Sequence, residues 1–220
     1  MTDKIRAAVS YSGGKDSALA LYRTIRSGCE PVRLLTTYNE DAGRSWFHGV
    51  PQALLERVAE LTGIPLETVK TRPGDGYAGD FEAALAGLKP LGVSACVFGD
   101  IDIQAHYDWC DARCKAAGLA SRFPLWREDR RELVYELISA GFKAVITIID
   151  TSKLGEEFLG KTLTREVAEE IACAGADICG ENGEYHTFVY GGPIFSAPVP
   201  HGFGEALRNG VYAILPVLPV

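Results

Sequence analysis

Short apolar runs alternate with stretches of helical period along the first half of the chain. The first run, Ile5–Tyr11, has the length of a buried strand, and Asp16–Ser27 after it repeats apolar residues at helical spacing. Further predicted strands are Val32–Tyr38, Leu66–Thr71 and Ala95–Gly99, and further predicted helices are Pro51–Thr62, Tyr77–Leu88 and Ile103–Ala117. Strands that alternate with helices form βαβ units, which predicts an α/β fold with a doubly wound parallel sheet and helices on both faces.

The second half of the chain has a less regular pattern. Its predicted helices are Asp129–Ala140 and Thr164–Ala174, and its predicted strands are Lys143–Ile149, Tyr185–Tyr190 and Val211–Val217. We place a boundary near Phe123 and Pro124, which predicts a larger domain over residues 1–123 and a smaller C-terminal α/β subdomain over residues 124–220. The apolar last strand could belong to the core or pair across a homodimer.

Composition and charge narrow the class of protein without identifying its activity. Hydrophobic residues make up 47% of the chain and charged residues 23%, which is typical of a folded globular protein. The net charge of −7 disfavours a nucleic-acid partner, since an acidic surface repels phosphate backbones. The sequence shows no signal peptide, no run of membrane-spanning length and no Cys-x-x-Cys pair, so we expect a cytoplasmic protein with reduced thiols and no membrane partner.

A glycine-rich turn with polar side chains connects the first predicted strand to the first predicted helix. Its residues are Ser12, Gly13, Gly14, Lys15, Asp16 and Ser17, preceded by Ser10 at the strand end. Glycines let backbone N–H groups approach an anion, and the helix start adds unpaired N–H groups and a positive dipole. Lys15 adds a positive charge, so the turn predicts a phosphate site. Asp16 beside a phosphate is costly unless it caps the helix or binds a cation, expected to be Mg²⁺.

Two well-known phosphate loops do not fit this turn. The Walker A pattern requires Ser or Thr after the lysine, whereas Asp16 follows Lys15, and the Rossmann pattern requires a residue between its first two glycines. A turn without a ligand is the alternative. Gly99 and Asp100, after the fourth strand, should open onto the same edge of the sheet. Asp100 could hold Mg²⁺ or a ribose hydroxyl or cap the next helix, and Asp102 is the better candidate for that cap.

The loop Ser12–Ser17 matches the Ser-Gly-Gly-x-Asp-Ser signature of the PP-loop ATP pyrophosphatases, an adenine-nucleotide alpha-hydrolase-like (HUP-type) superfamily that the chain therefore resembles. The segments that look like the diphthine–ammonia ligase family and its bacterial relatives are Phe98–Ile101, Pro124–Trp126, Ala140–Phe142, Leu159–Lys161, Cys179–Thr187 and Gly192-Pro193. The resemblance implies a HUP-type fold, use of ATP and Mg²⁺, and cleavage of ATP to AMP and pyrophosphate. It further implies that a substrate carboxylate is adenylated and then amidated by ammonia.

The loop chemistry and the resemblance together give a set of candidate site residues. The ATP-binding set is Ser10, Ser12, Gly13, Gly14, Lys15, Asp16, Ser17, Gly99 and Asp100; the substrate-binding set is Glu181, Asn182, Gly183, Glu184, Tyr185, His186 and Lys161; the catalytic set is Lys15, Asp16, Glu184 and His186; the Mg²⁺ ligands are Asp16 and Asp100. On an extended strand Glu184 and His186 face one side, where they could orient or deprotonate ammonia. The alternatives are a solvated turn for this segment and an exposed lysine for Lys161. The roles of His48 and His106 stay open.

One departure from the family pattern bears on the substrate. Where the diphthine ligases have Glu-Gly-Gly-Glu-Tyr-Glu-Thr, this chain has Asn182 and His186 at the second and sixth places, and Lys161 replaces an arginine. The Asn and His form resembles a bacterial branch linked to cobalamin salvage. The sequence therefore does not identify the carboxylic acid that serves as substrate. A thiolation enzyme of the same superfamily and a non-catalytic ATP-binding regulatory module are also compatible with the sequence. No glutaminase signature is visible, so free ammonia or a separate donor protein is implied.

Overall fold

The structure is a computed structural model that describes residues 4–39, 41, 43–46, 48–71 and 76–220. Its first part contains the strands β1 (Arg6–Ser10), β2 (Glu30–Asn39), β3 (Arg44–Ser45), β4 (Leu66–Thr71), β5 (Ala95–Val97) and β6 (Ala120–Arg122), and the helices α1 (Lys15–Arg26), α2 (Gln52–Thr62), α3 (Gly76–Gly87) and α4 (Gln104–Ala117). Its second part contains α5 (Arg130–Ser139), β7 (Lys143–Asp150), α6 (Arg165–Cys173), β8 (Tyr185–Gly191), β9 (Gly202–Phe203), β10 (Leu207–Asn209), β11 (Tyr212–Ile214) and β12 (Val217–Leu218).

Among the described residues, five parallel strands form the larger sheet in the order β4-β2-β1-β5-β6. The chain runs outward from β1 to β4 on one side and then crosses to β5 and β6 on the other. The strand order therefore reverses between β1 and β5, and the loops at the carboxyl ends of these strands leave a crevice for ligands. The antiparallel strand β3 pairs with the end of β2 that extends past β1, which brings the segment after β3 close to that crevice.

Successive residues of a strand point to opposite sides, and the central strands of the parallel sheet are buried on both faces because helices pack against each face. On one face, Ala7 and Val9 of β1 pack with α1 and α2 in a core that continues into the second part of the chain. On the other face, Ala8 of β1 and Cys96 of β5 pack with α3 and α4. The predicted α/β fold, a doubly wound parallel sheet with helices on both faces, is confirmed.

The second part contributes an antiparallel sheet in the order β10-β11-β7-β8, which confirms a smaller C-terminal α/β subdomain. Every residue of β7 after Lys143 is buried, and Ile146 of β7 and Phe188 of β8 belong to the same core as α1. The boundary between residues 123 and 124 stays a prediction.

Within the part of the chain that the structure describes, no helix combines the length and the apolar character needed to cross a membrane.

The predicted last strand, Val211–Val217, is wrong in its extent. The segment forms two strands, β11 and β12, which are separated by Leu215 and Pro216. Proline has no N–H group to donate to a neighbouring strand, so the ladder ends there. Strand β11 pairs with β10 on one side and with β7 on the other, so both of its edges are used inside the chain.

Two other local expectations also differ from the structure. Strand β6 was not predicted because its sequence, Ala120–Arg122, is polar and mostly exposed rather than an apolar run. Asp102 does not cap α4, whose cap residue is Ile103 without a side-chain hydrogen bond. Instead, Arg130 donates to both carboxylate oxygens of Asp102, at 2.8 and 2.6 Å, so an ion pair with a distant residue occupies this carboxylate.

Asp129 caps helix α5, and this contact gives a prediction for stability. Its carboxylate accepts hydrogen bonds from the N–H groups of Arg131 and Glu132, at 2.9 and 3.0 Å. Asp129→Ala removes the acceptor for both groups and should lower the free energy of unfolding by about 1 kcal/mol, measured by urea denaturation. Asp129→Asn keeps an acceptor oxygen and should stay close to wild type. An equal loss in both variants would contradict the capping role.

Candidate functional site

The turn between β1 and α1 lies at the carboxyl end of β1, where the crevice opens. Gly14 is the cap residue of α1 and has no side chain, so it offers no cap to the N–H groups of Asp16 and Ser17. Gly13 has a φ of +87°, a conformation that glycine adopts without strain. The Ser17 hydroxyl donates to the Gly14 carbonyl at 2.9 Å and lies 3.2 Å from the Ser12 hydroxyl. The turn thus has the geometry of an anion site at a helix N-terminus.

Strand β8 and His48 hold this turn in place. The Lys15 N–H donates to the Thr187 hydroxyl at 3.1 Å, and the Val189 N–H donates to the carbonyl of Gly13 at 2.8 Å. His48 lies over the turn, and a Cβ on Gly14 would be only 2.2 Å from its Cε1 atom. Because the φ of Gly14 is an ordinary −85°, the His48 ring rather than the backbone requires glycine there.

Lys15 and Asp16 form a close ion pair in the crevice. The Lys15 ammonium donates to both carboxylate oxygens of Asp16, at 2.8 and 2.7 Å, and the lysine side chain is 7% exposed. Burial is the largest single influence and lowers the pKa of Lys15, but Asp16, Cys179 and Tyr185 together more than offset it, so the net pKa lies well above its ordinary value. The crevice therefore contains a permanent ammonium group beside a carboxylate.

A cavity of about 690 Å³ opens at the carboxyl ends of β1, β2 and β5. Small-molecule sites commonly have volumes of roughly 300–1,000 Å³. The candidate residues that line it are Ser10, Ser12, Lys15, Asp16, Ser17, Gly99, Asp100, Glu181, Asn182, Gly183, Tyr185 and His186. Gly13 and Gly14 are buried beside it. The structure thus brings both halves of the predicted site, the turn before α1 and the segment around β8, to one cavity.

Glu184 lies outside the cavity lining, unlike its neighbours in sequence. Its buried carboxylate accepts from the backbone N–H of Asn182 at 3.1 Å and from the Asn182 side-chain amide at 3.3 Å. His186 lines the cavity and Glu184 does not, so the two side chains do not meet there as expected. Glu184 therefore shapes the turn before β8 and does not face the cavity.

Lys161 also lies outside the cavity lining. Its ammonium donates to the Glu170 carboxylate of α6 at 2.8 Å and lies 4.6 Å from the centre of the Phe158 ring. The expected contact of Lys161 with a phosphate or a substrate carboxylate is therefore not supported by its position. Lys161 instead forms a surface ion pair, which agrees with the alternative prediction of an exposed lysine.

Asp16, Asp100 and Glu181 bring three carboxylates to the cavity. Burial raises the pKa of Asp100, although His106, 3.4 Å away, opposes the change. Burial and the charge of Asp16 raise the pKa of Glu181 to about 7. Among the residues that the structure describes, no group of three or more His, Cys, Asp or Glu side chains is arranged to hold a metal ion. Asp16 and Asp100 nevertheless suit Mg²⁺, which commonly takes one or two carboxylates together with phosphate oxygens and water.

Glu181 should make stability depend on pH. Its pKa is 4.5 in the reference state and about 7 in the fold, so the fold favours the protonated form. The resulting destabilisation is absent below about pH 4.5, grows as the pH rises and is complete above about pH 7. Glu181→Gln removes this destabilisation, so its melting temperature relative to wild type should be higher at pH 8 than at pH 4.5. A difference between the two proteins that did not change with pH would contradict the raised pKa.

An aromatic wall on one side of the cavity was not predicted from the sequence. Trp46, Tyr77, Phe81 and Trp109 line it, and the Tyr77 ring centre lies 6.1 Å from that of Trp46 and 5.8 Å from that of Trp109. Walls of this kind are typical of sites that take a planar or apolar organic group. The contributing residues belong to a turn and two helices that are far apart in sequence, so local patterns carry little signal for them.

Known proteins resemble this chain over most of its length. Residues 5–121 match the family model for the diphthamide synthase N-terminal domain, and residues 129–200 match the model for the diphthamide synthase C-terminal domain. The diphthine–ammonia ligase of Mus musculus is 25% identical, with 97% of this chain and 89% of that protein covered. The diphthine–ammonia ligase of Danio rerio is 27% identical, with 97% and 92% covered.

A solved structure, described as a predicted subunit of tRNA methyltransferase from Methanocaldococcus jannaschii, has a TM-score of 0.48 and 17% identity, and the match covers 86% of this chain and 98% of that one. The two family models match consecutive parts of the chain in their N- to C-terminal order. The chain therefore belongs to the diphthamide synthase family.

Proposed function

We propose that this protein is an AMP-forming, ATP-dependent amide ligase that adenylates a substrate carboxylate and transfers ammonia to the adenylate. The observation that carries the proposal is the turn Ser12–Ser17, whose N–H groups and buried Lys15 ammonium meet a large cavity at the carboxyl ends of parallel strands. The names of the curated relatives support a ligase, and membership of the family supports the use of ATP.

The proposed reaction has two steps. A carboxylate oxygen of the acid attacks the α-phosphorus of ATP, the bond from that phosphorus to the bridging oxygen breaks, and pyrophosphate leaves. Ammonia then attacks the acyl carbon, the bond to the AMP oxygen breaks, and the nitrogen loses a proton as the amide forms. Lys15 and the N–H groups of the turn would stabilise the charge of the departing pyrophosphate. Asp16 and Asp100 would hold Mg²⁺, which would neutralise further phosphate charge.

The second part of the chain would shield the reactive acyl group. The turn around Glu181 and the start of β8 form one wall of the cavity, and aromatic rings form another. Excluding water protects an acyl-adenylate from hydrolysis. Glu181, with a pKa of about 7, is suited to accept the proton that the nitrogen loses near neutral pH. The same cavity is lined by Asn182 and His186, which depart from the diphthine ligase pattern. The proposal therefore does not specify which carboxylic acid is the substrate.

The proposal is tested by measuring AMP and pyrophosphate in mixtures of ATP, Mg²⁺, ammonium and a panel of carboxylic acids that includes diphthine. AMP formation should require both an acid and ammonium. With an acid whose carboxylate carries ¹⁸O, one labelled oxygen should appear in AMP, because the attacking oxygen stays on the phosphorus. ADP and phosphate as products would contradict the proposal. Tight ATP binding without any product would support a regulatory module, and a requirement for a sulfur donor would support thiolation.

A further inference from the structure

The His48 ring is packed between the turn Ser12–Ser17 and strand β8. Its Cε1 atom faces Gly14 so closely that glycine is required there, and its ring centre lies 5.0 Å from that of His186. The ring lines the main cavity and also a neighbouring cavity of about 470 Å³. His48 therefore lies against the turn that is proposed to bind phosphate and lines the same cavity as Lys15.

The contacts of His48 show which ring nitrogen carries the proton. Nδ1 lies 3.0 Å from the carbonyl oxygen of Thr187, and a carbonyl oxygen only accepts hydrogen bonds, so Nδ1 is the donor. In a neutral imidazole with a proton on Nδ1, Nε2 carries none and is an acceptor. No residue in the described part of the chain forms a hydrogen bond with Nε2. Nε2 of His48 is therefore available to a ligand in the cavity.

The groups that surround His48 keep it neutral when no anion is bound. Burial lowers its pKa to about 4, and the charge of Lys15 contributes to the lowering while the backbone hydrogen bond opposes it. His186 on β8 is also neutral, since burial and the neighbouring His48 lower its pKa to about 3. Among the described residues, the other charged groups that line a cavity together with His48 are Asp16, Asp100 and Glu181 in the main cavity and Arg44 in the neighbouring one.

We propose that His48 takes up a proton when a polyphosphate binds to the turn and then donates a hydrogen bond from Nε2 to a phosphate oxygen. A phosphate oxygen is an acceptor, so an unprotonated Nε2 would repel it. The several negative charges of a triphosphate outweigh the single charge of Lys15 and reverse the field at the ring. The proton comes from solvent and forms the N–H bond on Nε2, with no other covalent change. The inference rests on the nucleotide site of the proposed function but not on its chemistry.

The test is isothermal titration calorimetry with Mg²⁺ and α,β-methylene-ATP, which is not cleaved between its α- and β-phosphorus atoms. Titrations at pH 7 in two buffers of different ionisation enthalpy give the number of protons taken up per nucleotide. Wild type should take up more protons than His48→Gln, by at most one. The glutamine amide can still donate to the Thr187 carbonyl but does not titrate, so this variant separates proton uptake from a positioning role.

The affinity for the same nucleotide should also depend on pH. Because the bound state holds the extra proton, wild-type affinity should rise as the pH falls from 8 to 6, by at most about tenfold per pH unit more than that of His48→Gln. His186→Gln tests the neighbouring ring, 5.0 Å away, as the alternative site of proton uptake. His201→Gln is the matched control and should keep the proton uptake, because His201 also has its Nδ1 at a backbone carbonyl, that of Val199 at 2.9 Å, but lies outside both cavities. If melting curves show that His48→Gln does not fold, His48→Ala, which leaves the turn unobstructed, takes its place in the comparison.

Two outcomes would overturn the inference. One is equal proton uptake by wild type and His48→Gln, and the other is an uptake that only His186→Gln abolishes. The result is separable from the ligase assay. Proton uptake that depends on His48, without AMP formation from any acid, would retain this inference and reject the ligase. AMP formation without such uptake would do the reverse.

Discussion

Lys15→Met is expected to weaken ATP binding about 10–100-fold in calorimetric titrations with Mg²⁺. Hydrogen bonds to charged groups contribute about 1.5–3 kcal/mol, and about 1.4 kcal/mol corresponds to a factor of ten in affinity. Methionine retains an apolar stem of similar length but removes the ammonium that pairs with Asp16 at 2.7 Å. The Asp16 carboxylate would then face the phosphates without its partner, which adds repulsion to the lost attraction.

Lys161→Met provides the matched control for this substitution. Lys161 pairs with Glu170 on the surface, outside the cavity, and exposed ion pairs contribute little, roughly 0–1 kcal/mol, to stability. Its ATP affinity should remain that of wild type. Wild-type affinity in Lys15→Met, or an equal loss in both lysine variants, would contradict the role assigned to Lys15.

Gly14→Ala is expected to destabilise the protein by about 1–3 kcal/mol, the usual effect of overpacking a buried site. The new Cβ would lie 2.2 Å from the Cε1 atom of His48, so either the ring must move or the turn must shift. Movement of the ring breaks its hydrogen bond to Thr187, and movement of the turn disturbs its attachment to β8. Urea denaturation measures the loss of stability.

A double-mutant cycle separates the clash from any backbone effect. In the His48→Ala background the ring is gone, so Gly14→Ala should cost less than in wild type, with a coupling energy of about 0.5–3 kcal/mol. Gly79→Ala is the control, because a Cβ there meets nothing within 4 Å and Gly79 lies in a helix, where alanine stabilises by up to about 1 kcal/mol. An equal cost of Gly14→Ala in both backgrounds would show that the backbone itself requires glycine.

The central strands of the parallel sheet could be predicted because they are buried on both faces. Such strands, as in β1, are continuous apolar runs, and the helices between them repeat apolar residues at helical spacing and end at glycines such as Gly63 and Gly118. The strand Val211–Val217 was predicted too long, although Pro216 lacks the N–H group that a ladder needs and marks where the strand ends. Polar edge strands such as β6 carry no such pattern.

The contacts of charged side chains were predicted less accurately from the sequence than those of apolar side chains. We expected Asp102 to cap a helix and Lys161 to contact a ligand. We expected Glu184 to face the cavity. The structure gives each a different protein partner: Arg130, Glu170 and Asn182. A long polar side chain has many partners within reach, and local sequence does not rank them. Apolar residues are placed more reliably because burial alone decides their side of a strand or helix.

By itself, the sequence located the turn Ser12–Ser17 between a buried strand and a helix, because glycines follow a continuous apolar run and precede a helical repeat, and it predicted that this turn binds phosphate. The tertiary structure alone decided what covers that turn. His48 reaches the Thr187 carbonyl across 139 positions, and the aromatic wall joins a turn to two helices. The reason is physical: periodicity reports which face of an element is buried, whereas a contact between distant segments depends on how the whole chain packs.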